Sequence, residues 1–261
     1  MGKIRFVLKQ ETDEDREFFE EAELCPDIEH DVVVTDSQDE LFRQMSRHIA
    51  AIGYERSGEK LSGRFIIGSL WALDDAFIKK VHDTFYRVPQ VILETERTVI
   101  RQCDPEKDIL PMMEMYEKPH MTDFIEQLYP FAEETVYQRD YFDNIYSLYD
   151  FGMWNVFFKE TGELIGRCGL EYMQPPIDFP ESDDPWLELG YVIDPDFWYQ
   201  GFGFETTSAV MEMAYEKGHS HIFAQIDPHN AASVRLAEKL GFFHAKGDIW
   251  VCNRYQPRKN G

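Results

Sequence analysis

The sequence predicts an α/β protein in two parts: a small N-terminal α/β domain over residues 1–96 and a larger domain over residues 97–261. Three observations predict it. Up to Glu96, β-branched runs alternate with helix-periodic stretches; beyond Arg97, strand-like runs follow one another through tight turns before two amphipathic helices. Of the 261 residues, 43% are hydrophobic, enough to bury a core and to exclude wholesale disorder.

In the first part, Glu11–Glu23 is dense in acids, but Phe18, Phe19 and Ala22 give it one apolar face, so it reads as a surface helix. Asp31–Thr35 is a β-branched strand, followed by a helix-periodic stretch from Asp39 to Ala51. Arg64–Leu70 is a second apolar run. In Asp74–Tyr86, Ala76, Ile78, Val81 and Phe85 recur at helical spacing, and Val91–Thr95 closes the part as a strand. Strand–helix–strand order favours strands that are at least partly parallel. Thr35-Asp36-Ser37 follows a β run, where sites of α/β proteins occur, but reads first as a helix N-cap at Ser37 or Asp39. This part holds no glycine-rich phosphate loop, nucleophile–base pair or metal-ligand cluster, and its role is not written in its residues.

The second part opens with a strand, Thr98–Gln102, then a helix from Glu106 to Tyr116 and a helical, aromatic-rich region, Phe124–Tyr149. Trp154–Lys159 and Leu164–Tyr172 form a hairpin across Glu160-Thr161-Gly162-Glu163. Trp186–Ile193 is a strand, Phe204–Lys217 an amphipathic helix, Ile222–Ile226 a strand, and Ala231–Leu240 a helix that Gly241 caps.

Lys and Arg number 26 against 49 Asp and Glu, a formal net charge of −23 spread over both parts. Such a chain repels phosphate backbones and anionic lipid, which argues against nucleic-acid partners and a polybasic membrane contact. The acidity serves solubility or attracts a cationic substrate. Cys25, Cys103, Cys168 and Cys252 lie far apart without ligand spacing, so they read as reduced thiols, and no metal is expected. The N-terminus turns acidic by Glu11, unlike a signal peptide, and the longest apolar stretch, Phe65–Leu73, is too short to span a bilayer. A cytoplasmic protein is expected.

The chemistry concentrates where Glu188-Leu189-Gly190-Tyr191-Val192-Ile193 runs into Asp194-Pro195 and then Trp198-Tyr199-Gln200-Gly201-Phe202-Gly203-Phe204-Glu205. A strand, a glycine-containing loop and a helix start gather free N–H groups and the positive helix end at one spot, which suits a pyrophosphate. Neither the nucleoside-triphosphate loop nor the dinucleotide fingerprint is complete here, and Gly-x-Gly alone also describes a tight turn. Further on come Asp227-Pro228-His229-Asn230-Ala231-Ala232-Ser233 and Ala237-Glu238-Lys239-Leu240-Gly241-Phe242.

Together the two segments resemble the GNAT acetyltransferases, in particular the branch with the ribosomal-protein N-terminal acetyltransferases. That family's loop, Gln/Arg-x-x-Gly-x-Gly/Ala, falls on Trp198 to Gly203. Gly201 and Gly203 match it, and Trp198 departs from the leading residue as the ribosomal-type branch does, with a polar Gln200. The second motif matches Asn230, Ser233, Glu238, Lys239, Gly241 and Phe242. The resemblance covers Arg97–Phe243 and implies a mixed, mostly antiparallel sheet flanked by helices, with acetyl-CoA as donor in a wedge between two strands.

By the same resemblance, backbone groups around Ile193 would hold the pantetheine arm and polarise the thioester carbonyl. N–H groups from Gln200 through Gly201, Phe202 and Gly203 to Phe204 would hold the pyrophosphate, and Asn230 the CoA arm. The tyrosine that often protonates the thiolate is replaced by Ala237, leaving Ser233 as candidate acid or as a plain first-turn serine. Glu188 is the candidate base, Glu171 a weaker one; either also reads as a solvated strand carboxylate. His229 beside Asn230 reads mostly as a bystander. The aromatics of Phe124–Tyr149 serve as core or cage a cationic acceptor. The implied activity is acetyl transfer to a primary amine, a protein N-terminus or a small molecule. The rival is a catalytically idle acyl-CoA-binding module. The N-terminal part is also a candidate for a contact between copies in a homo-oligomer.

Overall fold

The computed structural model describes residues 1–56, 60–149, 151–174 and 184–253. Two compact units divide between Val88 and Pro89. In the first, β1 (Ile4–Val7), α1 (Asp13–Glu21), β2 (Val32–Thr35), α2 (Gln38–Ser46), β3 (Ala50–Tyr54), β4 (Ile66–Ile67) and α3 (Asp75–Phe85) follow in order. The strands form a sheet in sequence order, every neighbouring pair parallel. Phe18, Val32, Val34, Ile52, Ile78 and Val81 fill its core. Thr12 caps α1, Ser37 caps α2 and Asp74 caps α3, each accepting a backbone N–H with its side chain. Ser37 therefore acts as a cap.

The helix expected from Asp39 to Ala51 ends at Ser46. His48 then takes a left-handed φ of 59°, and Ala50-Ala51 enter β3, buried and paired with Val32-Val33 of β2. Alanine favours a helix, but pairing with β2 and burial outweigh a propensity of tenths of a kcal/mol (~0.5).

The second unit holds β5 (Val91–Glu94), β6 (Thr98–Arg101), α4 (Ile109–Tyr116), α5 (Phe131–Tyr141), β7 (Met153–Phe158), β8 (Leu164–Tyr172), β9 (Leu187–Ile193), α6 (Phe202–Glu216), β10 (His221–Gln225), α7 (Ala231–Lys239), β11 (Phe243–Lys246) and β12 (Ile249–Asn253). Its sheet runs β11-β12-β10-β9-β8-β7-β6-β5. All neighbours among the described residues are antiparallel except β9 and β10. Val91–Glu94, expected to close the first part, pairs with β6 instead, so the division falls before it rather than at Glu96. The aromatic-rich region is helical only from Phe131, because Pro130 opens α5 and the residues before it form bends; a π-helical turn over Phe142–Tyr146 continues it.

The sheet has two covered faces. Trp154, Ile100, Leu170 and Leu187 pack with Val210, Met211 and Ala214 of α6 on one. On the other, Leu164 packs with Ile109, Met112 and Met115 of α4. Each fully buried aliphatic side chain stabilises by roughly 1.5–3 kcal/mol. No helix among the described residues is long and apolar enough to cross a membrane.

Candidate active site

The site begins as a break in the sheet. Strands β9 and β10 share only two register pairs, Leu187 with Ile222 and Glu188 with Phe223. On its other edge β9 stays paired with β8 along its whole length, from Leu187–Tyr172 to Ile193–Gly166. The Asp194 N–H donates to Ile165 O on the β8 side. Strand alternation therefore turns the backbone groups of Tyr191 and Ile193 towards β10, beyond the last register pair. The resulting cavity of about 790 Å³ lies between Glu188–Ile193, Ala224–Ile226, the start of α6 and the start of α7, with Phe124 and Ile125 at one side.

At the end of β9 the chain turns sharply. Asp194 accepts the Asp196 N–H and an ion pair from Lys118 at 2.7 Å, which fixes a short 3₁₀ turn over Pro195–Phe197. The Trp198 indole N–H donates to Ile193 O at 2.6 Å, so of the two backbone groups of Ile193 the N–H remains for a ligand. The Gln200 side chain donates to Asp196 O and closes the turn. Gly201 then adopts φ 87°, the left-handed region where a side chain would be strained, and serves as the N-cap of α6. The first N–H groups of α6 lack helical acceptors and carry the positive end of the helix dipole. A Cβ at Gly203 would stand 3.3 Å from Leu236 Cδ2 and 3.8 Å from Ile193, so glycine there keeps the helix start, β9 and α7 close together. Phe202 is buried against Phe158 and Phe197, which leaves its backbone alone available to a ligand. Lys239 lies 3.8 Å above the Phe204 ring on the cavity wall.

Across the cavity, Asn230 caps α7, its Oδ1 accepting the Ser233 N–H at 3.1 Å. Ser233 lines the cavity in the first turn, and its carbonyl accepts the Tyr191 hydroxyl at 3.3 Å, tying β9 to α7. Ala237, one turn further, is buried in the core. Burial pushes the Tyr191 hydroxyl up to about 12, so it stays protonated.

Glu188 also lines the cavity and is half-buried. Burial, then the charges of Glu171 and Asp248, raise its carboxyl above the usual carboxylate range. Glu171 sits directly across on β8 and accepts the Tyr141 hydroxyl. His229 points to solvent and bonds Asp227. Tyr129, Phe131, Tyr137 and Tyr149 are exposed, whereas Tyr141 and Phe142 are buried, so the aromatics divide between surface and core. Among the described residues no group of His, Cys, Asp and Glu is arranged to hold a metal ion.

The structure thus brings Glu188, Ile193, Trp198, Gly201, Gly203, Asn230 and Ser233 to one cavity. Sequence reasoning missed Tyr191 and Arg97, whose Nη1 donates to Gln200 O at 3.1 Å. Alternation along β9 puts Tyr191 on the same face as Ile193, a signal that was available; Arg97 had none.

The family model described as "Acetyltransferase (GNAT) domain" matches residues 97–243. YoaA of Bacillus subtilis (strain 168), described as an uncharacterized N-acetyltransferase, is 28% identical over 154 residues, covering 58% of this chain and 82% of YoaA. YkkB of the same organism is 31% identical over 99 residues, 38% of this chain, so the chain spans about half (54%) of YkkB. A GNAT-family structure from Bordetella pertussis superposes with a TM-score of 0.51 at 17% identity, covering 64% of this chain and 99% of its own, a likeness of fold.

Proposed function

The chain belongs to the GNAT acetyltransferase family, and from that premise we propose that it transfers an acetyl group from acetyl-CoA to a primary amine by direct attack on the thioester. One observation carries the reading: the β9–β10 wedge opens onto the glycine-turned start of α6, with Glu188 at the same cavity. The residues present fit CoA, since Gly203 keeps the start of α6 close against Leu236 and Ile193 with no side chain of its own in the way, and unbonded helix N–H groups suit a pyrophosphate. When bound, acetyl-CoA supplies an activated acyl carbon and a thiolate leaving group.

The chain's own residues do the rest. Backbone N–H groups from Gln200 to Phe204 hold the pyrophosphate, and Asn230 orients the pantetheine arm beside the open edge of β9. The Ile193 N–H donates to the thioester oxygen as charge grows there. Glu188, directly or through one water, takes a proton from the acceptor's ammonium and frees the neutral amine that attacks; its raised pKa makes it a stronger base than an ordinary carboxylate. The Ser233 hydroxyl gives its proton to the departing sulfur and regains one from solvent. Glu188, Glu171 and Asp248 favour a cationic acceptor, a protein N-terminus or small-molecule amine. Free cysteines support a reducing compartment, which we propose is the cytoplasm. The net charge of −23 argues against nucleic-acid and membrane partners, and an assembly of copies is left to sizing in solution.

The test is thiol release from acetyl-CoA across a panel of primary amines, paired with CoA calorimetry. Turnover with any amine supports the enzyme. Binding without turnover favours the idle module, a rival that the buried Ala237 keeps open. Absence of CoA binding overturns both.

A further inference from the structure

We propose that Arg97 is the positioning residue of the donor loop, holding the Gln200–Phe202 turn in its binding shape from the hairpin between β5 and β6; the inference rests on the donor-site reading above. The residues that make this clamp lie more than 100 positions apart. Arg97 Nη1 donates to Gln200 O at 3.1 Å, and its Nε donates to Glu205 Oε2 at 2.7 Å. The Arg97 backbone N–H and the Thr95 hydroxyl both donate to Glu205 Oε1, at 2.9 and 2.6 Å. The guanidinium stacks 4.0 Å from the centre of the Phe202 ring, and its Nη2 lies 3.5 Å from where a Gly201 Cβ would stand. One side chain thus bonds Gln200 and Glu205, stacks on Phe202 and stands beside Gly201, at the stretch whose N–H groups would meet the pyrophosphate.

Two physical consequences follow from that geometry. In a trans peptide the C=O and N–H point in opposite directions, so pinning Gln200 O towards Arg97 turns the Gly201 N–H away from it. The left-handed turn at Gly201 is thereby held rather than merely permitted. The second consequence is electrostatic. Glu205 stands in the first turn of α6, where a carboxylate would repel a phosphate at the same helix end. Burial works to raise its pKa, but the hydrogen bonds from Thr95 and Arg97 and the Arg97 charge hold it below the usual range, so it is ionised and neutralised by Arg97. A lysine carries the charge but lacks the planar fork that reaches Gln200 and Glu205 at once.

The experiment measures CoA affinity by calorimetry, and donor KM and kcat, in the full chain carrying Arg97→Ala, Arg97→Lys or Glu205→Gln. Arg97→Ala is expected to weaken CoA binding and raise the donor KM roughly tenfold or more, with kcat at saturating donor within about twofold of wild type. Arg97→Lys should recover part of that loss, and Glu205→Gln in the Arg97→Ala background should recover part by removing the exposed charge. A purely structural role would lower the Tm and leave the donor KM of the folded protein unchanged, which would overturn the proposal. If Arg97→Ala fails to fold, Arg97→Lys carries the test, and wild-type donor KM in that variant overturns the clamp. Wild-type protein that does not bind CoA would overturn the donor-site reading and the clamp together; binding by wild type with equal binding by both Arg97 variants would overturn the clamp alone.

Discussion

Glu171 on β8 and Glu188 on β9 are direct cross-strand partners, so two carboxylates share one face of the sheet, Glu188 on the cavity wall and Glu171 beside it. Directly opposed like charges repel, and the repulsion adds to burial in holding the Glu188 proton more tightly.

Glu188 must be ionised to act as a base, so a raised pKa moves the acid limb of the kcat profile to higher pH. Glu171→Gln removes the opposing charge and should draw that limb to lower pH, whereas Glu188→Gln should lower kcat by about 10²-fold or more. Profiles of kcat against pH for the three proteins check this. An unmoved limb in Glu171→Gln would assign it to another group.

At Gly203 the added Cβ asks only that the end of Leu236 give way slightly, so the fold should survive substitution. Gly203→Glu nevertheless brings bulk and negative charge to the helix start. CoA affinity should fall at least tenfold, by roughly 1.4 kcal/mol, with circular dichroism unchanged. Unaltered calorimetric affinity in the folded variant would remove the loop from donor binding.

Ser233 contributes its backbone to the α7 cap and to Tyr191, and both bonds persist in Ser233→Ala. The variant should therefore keep its Tm and acetyl-CoA affinity while kcat drops by about 10²–10⁴-fold, the usual contribution of a positioned proton donor. Wild-type kcat would leave the hydroxyl without a role in the chemical step.

The N-terminal unit has its own buried charge network. Asp15 accepts from the Tyr54 hydroxyl at 3.0 Å and from Arg56 at 2.9 Å. Burial tends to raise the Asp15 pKa, yet bonds from Thr12 and Tyr54 and the Arg56 charge lower it overall; Tyr54, pushed up to about 12 by burial and Asp15, stays a donor. A depressed folded pKa stabilises above the unfolded carboxylate value, and that stability is lost as pH falls through the folded one. Tyr54→Phe strands one buried oxygen and should cost about 1–3 kcal/mol in urea unfolding at neutral pH, with a smaller penalty in acid.

What was legible in the sequence was what local chemistry writes down. Gly201 and Gly203 before an amphipathic run, and Asn230 three residues ahead of Ser233, placed the two helix starts that flank the cavity. The apolar, aromatic-containing run Trp186–Ile193 placed the strand between them. Less legible was whatever depends on partners far along the chain. Ala50-Ala51 read as helix because nothing local announces a strand paired on both sides. Val91–Glu94 read as the end of one unit because its partner, Thr98–Arg101, opens the next. The Arg97–Glu205 bonds join residues 108 apart, and no periodicity encodes such a pair. The indole bond from Trp198 to Ile193 O gives the tryptophan a local role that spacing does not announce.

The short ladder between β9 and β10 makes the large sheet two panels joined at a seam, with two register pairs and the Tyr191–Ser233 bond as its stitching. Amides of Tyr191 and Ile193 beyond the seam should exchange with deuterium far faster than their β8-facing neighbours Gly190 and Val192. A bound pantetheine arm would act as a missing strand segment, slowing those amides and stiffening β10–β12 along with them. Saturating CoA should then raise the unfolding midpoint of this unit by mass action and leave exchange in β1–β4 as it was. The donor, on this view, is also a structural member of the sheet, and the unliganded protein is the looser of its two working states.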